Sequence, residues 1–116
     1  MHKSKVEHDL YINQMISNVA HDEAAFNIDT RTSFADNHHA YAILLEELEE
    51  SIEALEILKG NVAILWKMVK GDFKQEEINK QLERIGLNCK VTTGEVIQVY
   101  AVALKALEQL GNKKSQ

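Results

Sequence analysis

Apolar residues recur every seventh position through the middle of the chain, at Tyr41, Leu48, Leu55, Val62 and Val69. Leu44, Leu58 and Leu65 fill the interleaved positions, with Ser51 the polar residue among them. A heptad held over four repeats predicts one long amphipathic helix. Asp36 or Asn37 offers a side-chain oxygen to cap its start, and Ser33-Phe34-Ala35-Asp36 offers a cap one turn earlier. Gly60-Asn61 lowers helix propensity, but the heptad keeps its phase across that point. A single helix from about 36 to 70 is therefore expected, weakened locally at most. Gly71 stands just past the last periodic residue, where helices commonly end.

Weaker patterns flank this ladder. Val6, Leu10, Ile12, Met15, Ile16 and Val19 form a ragged apolar stripe, predicting a helix over 4–22. The polar run from Asn27 to Ser33 lacks periodicity and reads as a loop, pinned to the core by Phe26, Ile28 and Phe34. A shorter helix is expected over 73–85, with Phe73, Ile78, Leu82 and Ile85 on its buried edge and Gly86-Leu87-Asn88 closing it. Thr92 or Thr93 is the cap expected for a last helix over 93–110, which puts Glu95 in its first turn. Val96, Val99, Tyr100, Ala103, Leu107 and Leu110 make its stripe. Gly111 stops it, and 112–116 is a frayed tail.

These elements predict an all-α helical bundle of one domain, as the length of 116 residues also suggests. Composition agrees, since proline is absent and glycine occurs only five times. A helix over 36–70 would be ~50 Å long, beyond the ~30 Å width of a small domain. Three shorter helices cannot cover such a ladder, so a homo-oligomer, most simply a two-fold dimer, is expected.

Charge and cysteine narrow the partners. A net charge of −5 argues against nucleic-acid backbone, and Lys113-Lys114 is too short to form a basic patch. Cys89 is the single cysteine, which excludes an intrachain disulfide and suits a reducing, cytoplasmic setting. No apolar run approaches a membrane span, and the first residues lack a signal-peptide core.

Candidate chemistry centres on Glu46-Glu47-Leu48-Glu49-Glu50. Carboxylates three and four apart share a helix face and can meet one cation, although most charge runs are solvated faces. In the heptad frame Glu46, Glu49 and Glu53 point away from the seam, Glu47 borders it, and Glu50 lies within reach of Glu47. Glu95 and Gln98, three apart, are the candidate partners on a later helix. Two such helices facing one another would hold Mg²⁺ through carboxylates and water. His38-His39 is a poor metal pair, because neighbours in sequence diverge on a helix, but a helix N-terminus can draw a phosphate toward it. His2, His8 and His21 show no ligand spacing. Tyr41, Trp66 and Tyr100 occupy core-like positions, with base stacking at a subunit interface as the alternative role. A glycine-rich phosphate loop and a nucleophile elbow are both missing.

The pair of segments Glu46-Glu47-x-x-Glu50 and Glu95-x-x-Gln98 resembles the EExxE and ExxD motifs of the MazG-like all-α nucleoside triphosphate pyrophosphohydrolases. A wider stretch also resembles small uncharacterised proteins of phages and prophages in Gram-positive bacteria. It includes His39-Ala40-Tyr41-Ala42-Ile43, the acid run, Leu65-Trp66-Lys67 and Glu95-Val96-Ile97-Gln98-Val99. The first resemblance implies Mg²⁺ held by Glu46 or Glu47, Glu50 and Glu95 against nucleotide phosphates. His38, His39, Tyr41, Trp66, Gln98 and Tyr100 are the accompanying ligand-binding candidates. Gln98 stands where that family has Asp, and the two motifs lie further apart than usual. An amide is a weaker ligand than a carboxylate for a hard cation.

The resemblance thus implies a protein that binds a phosphorylated nucleotide without turning it over, for example to sequester a host nucleotide signal used in defence. A Mg²⁺-dependent pyrophosphohydrolase that tolerates Gln98 is the enzymatic alternative. A helical interaction module that docks on a host protein is the third.

Overall fold

The computed structural model describes residues 4–30 and 33–111 and is all-α. Helix α1 spans Lys5–Thr30, α2 spans Asn37–Lys70 and α3 spans Gln75–Leu110, with no strand among the described residues. No helix is long and apolar enough to cross a membrane among those residues.

The helix starts follow their caps. Ser4 Oγ accepts from the Glu7 backbone N–H at 3.1 Å, and Asp36 Oδ1 accepts from that of His39 at 2.9 Å. Helix α2 is continuous through Gly60, as its unbroken heptad predicts. It ends at Lys70, but Gly71 does not take the left-handed conformation. Asp72 does, with φ 58°. Its N–H reaches Val69 O and that of Phe73 reaches Met68 O, the paired bonds of a Schellman turn. Gly71 serves by its size: a Cβ there would lie 3.0 Å from the Phe73 ring and 3.1 Å from Lys67 O.

Two boundaries differ from expectation. The first helix runs on through 23–30, where a loop was expected from Asn27. Polar residues there cost at most ~0.7 kcal/mol each in a helix, and neither glycine nor proline interrupts them. Arg31, Thr32 and the 112–116 tail lie outside the described residues. The expected third and fourth helices are one, α3. Gly86 alone costs ~1 kcal/mol against alanine. Thr92 caps nothing: its hydroxyl donates to Asn88 O at 2.8 Å, one turn back within the helix.

The chain's contacts gather into two compact units. One comprises the described residues up to Leu45 and from Ile97 onward. Phe34, Ala40 and Val102 form its buried cluster, with Ile43, Leu44, Ala106 and Leu110 packed around them. The Phe34 N–H donates to Gln109 Oε1 at 2.9 Å, and the buried Lys105 ammonium sits 4.7 Å from the Phe34 ring centre. In α1 the buried residues are Ala20 and Ala24, whereas the expected stripe of Val6, Leu10, Ile12, Met15, Ile16 and Val19 is exposed. Phe26 is also largely exposed, so of the two described anchors of the expected loop it is Phe34 that is buried.

The other unit, Glu46–Val96, is a hairpin of α2 against α3. Its covered positions on α2 are Glu47, Ser51, Ala54, Leu58, Asn61, Leu65 and Met68. On α3 they are Ile78, Gln81, Ile85, Asn88, Thr92 and Glu95. Both sets alternate steps of three and four, the spacing of a coiled-coil seam. The seam is partly polar. Gln81 is buried and donates to Asn61 O at 2.8 Å, Arg84 donates to Gln81 Oε1 at 2.9 Å, and Asn61 bonds Asn88. The seven-spaced residues Tyr41, Leu48, Leu55, Val62 and Val69 are exposed, against expectation, because the hairpin uses the row one residue earlier. Leu82, Val96 and Leu107 are exposed on α3 for the same reason of phase, and Phe73, in the turn before α3, is exposed as well.

Candidate functional site

Glu47 and Glu50 lie one turn apart on α2, Glu47 in the seam and Glu50 one residue before the seam's next position. The continuity of α3 carries Glu95 back along the hairpin to their level. Ligand oxygens of Glu47, Glu50 and Glu95 all lie within 4.8 Å of one another. Glu47 and Glu95 are half-buried and Glu50 is exposed. Glu95 is therefore an interior residue of a long helix and not a first-turn dipole residue.

The triad borders a groove of about 230 Å³ lined by Glu50, Glu53, Ala54, Ile57, Asn88, Val91, Thr92 and Glu95. Its lining is acidic at Glu50, Glu53 and Glu95, apolar at Ala54, Ile57 and Val91, and neutral polar at Asn88 and Thr92. No lysine or arginine is among these lining residues. The Glu50 carboxyl is raised above its ordinary value. Desolvation is the largest cause, even though the residue as a whole is exposed. The charges of Glu95 and Glu46, a hydrogen bond with Glu95 and the charge of Glu53 follow. The neighbouring carboxylates of Glu95, Glu46 and Glu53 thus disfavour the charged form of Glu50.

Three carboxylates at this spacing suit a hard divalent cation. Opposite oxygens around Ca²⁺ are ~5 Å apart and around Mg²⁺ ~4.2 Å, so the side chains need little or no closure to reach either. A cation there would relieve the repulsion that raises Glu50.

The other candidates lie elsewhere. Glu46 is exposed and contributes charge near Glu50 without joining the triad. His38, His39, Tyr41, Gln98 and Tyr100 belong to the first unit, and none lines the groove. His39 has a local structural role. Its Nδ1 accepts from the Ala35 N–H at 3.1 Å, and its ring meets Phe34 edge-on at 5.5 Å. Tyr41 and Trp66 are exposed rather than in a core, and Lys70 stacks over Trp66 at 5.3 Å. Glu53, Ile57, Asn88, Val91 and Thr92 were not expected at the site. Reading the seam from Glu47, in steps of four and three, would have placed Glu50, Glu53 and Ile57 along one edge.

Comparison of the chain with protein-family models, curated proteins and solved structures gives no match in any of the three.

Proposed function

We propose that this protein binds a phosphorylated nucleotide through a divalent cation held by Glu47, Glu50 and Glu95. The observation that carries this reading is the convergence of those carboxylates, two of which line a groove that also holds Ala54, Ile57 and Val91. The cation would take the carboxylates on one side and phosphate oxygens on the other, with water completing its shell. Ile57 and Val91 offer apolar surface for a sugar or base. The likeness of the two glutamate motifs to MazG-like enzymes supports nucleoside triphosphates as the ligand class. The later motif carries Gln98 where those enzymes have Asp, and one carboxylate fewer favours retention over pyrophosphate release, because cleavage needs a well-held cation to neutralise developing charge.

Calorimetry with Mg²⁺ and Mn²⁺, followed by a nucleotide panel in the presence of either, tests this directly. Binding that is lost in Glu47→Gln and Glu95→Gln supports the site. Pyrophosphate release from a bound triphosphate would replace the binder with the hydrolase. The absence of both cation and nucleotide binding would reject the site and leave an acidic structural face.

A further inference from the structure

In the hairpin, the α2 positions one residue beyond the seam carry Leu48, Ile52, Leu55, Val62, Trp66 and Val69, each between 44% and 59% exposed. They repeat in steps of four and three, interrupted by the exposed Lys59. A helix turns about 100° per residue, so this row lies a quarter turn from α3. Helix α3 runs the opposite way, which brings its own next-to-seam residues Asn79, Leu82, Gly86, Cys89, Thr93 and Val96 to the same side. Glu50, Glu53 and Ile57 precede the seam by one residue and border the groove on the other side. The hairpin thus has an acidic face and an apolar face.

We propose that a second copy of this chain packs on the apolar face, antiparallel, about a two-fold axis near Lys59, so that two hairpins close into a four-helix bundle. Exposed apolar surface supports an occupant on this face: six large apolar side chains in one row, each 44–59% exposed, make a larger patch than a monomer ordinarily leaves to water. The row is also self-complementary. Inverted about Lys59, Leu48 meets the partner's Val69, Ile52 meets the partner's Trp66 and Leu55 meets the partner's Val62. That is the layered pairing of an antiparallel coiled coil. The bonds of Asn61 to both Gln81 and Asn88 put Gly86 and Leu87 at the level of Lys59. The axis therefore passes close to Gly86 and Cys89, whose small side chains let the two α3 helices approach. Lys59 meets the partner's Lys59 at the axis, so the two stems must carry their charges apart to the bundle edges.

Sedimentation of the full chain across the micromolar range is expected to show a dimer, with Trp66 fluorescence moving to the blue as it forms. Cys89 is the single cysteine, so a short bis-maleimide should link two copies through it. Leu55→Glu and Val62→Glu should each weaken association by ~100-fold or more, since each would bury an unpaired charge. Should those variants unfold, Lys59→Leu gives the complementary reading: a dimer at least ~10-fold tighter, from added apolar burial at the axis. A monomer throughout the range overturns the proposal. So does a dimer that Leu55→Glu leaves intact or that Cys89 does not cross-link, which would assign the face to a different partner.

Discussion

Glu50 is the residue at which the candidate site makes a claim about stability. Its folded carboxyl holds a proton above the ordinary value of 4.5, through desolvation and the charges of Glu95, Glu46 and Glu53. Between the ordinary and the raised values the folded protein binds more protons than the unfolded chain. Stability therefore falls as pH rises through that window, and the loss is complete above the raised value. Glu50→Gln should raise the melting temperature at neutral pH in chelator and leave it unchanged well below pH 4.5. Mg²⁺ should stabilise the unaltered protein more than the variant, since the variant has surrendered a ligand. Melting curves against pH, with chelator and with Mg²⁺, read both effects. At this scale the sequence carried Glu47 and Glu50, because spacing within one helix is a local matter. Bringing Glu95 to them needed the resemblance, and Asn88 and Thr92 were hidden by the turn and cap assigned to them.

The elements show which local signals prevail. The heptad of α2 gave the right period, but two apolar or small rows lie one residue apart, and periodicity cannot say which one the chain covers itself. For α3, glycine, asparagine and threonine looked like punctuation, yet contacts with α2 on both sides of Gly86 hold one continuous helix. Gln81 contributes most visibly to that hold, being 2% exposed and bonded to Asn61 and Arg84. Gln81→Ala should cost ~1–3 kcal/mol by leaving buried polar groups unsatisfied, measurable by urea unfolding. At the end of α2 the strain sits on Asp72, with φ 58°. Asp72→Gly should stabilise by about 1 kcal/mol, because glycine takes the left-handed conformation without a Cβ penalty. Gly71→Ala should do the reverse, by crowding Phe73 and Lys67 O.

For the molecule as a whole, the all-α class was legible from composition and periodicity. The exposed apolar rows and the acidic groove pose separate questions, because they occupy opposite faces of the hairpin. If the apolar face binds a second copy, the melting temperature rises with protein concentration, whether or not a cation is present. The groove makes a sharper demand. Three carboxylates of the triad, with Glu53 beside them, repel any phosphate, and no lysine or arginine lines the groove to offset them. If the groove takes a nucleotide, a cation must first offset most of that charge and offer its own open positions to the phosphate oxygens. The two ligands must therefore be coupled: nucleotide affinity should fall below detection in chelator, and a saturating nucleotide should tighten Mg²⁺ binding. Linkage requires the two enhancements to be equal, and couplings of this kind are typically ~5–150-fold. Calorimetric titration of each ligand with and without the other measures both factors. Nucleotide binding that persists in chelator would detach the ligand from the glutamate triad and move the search to other surfaces of the protein.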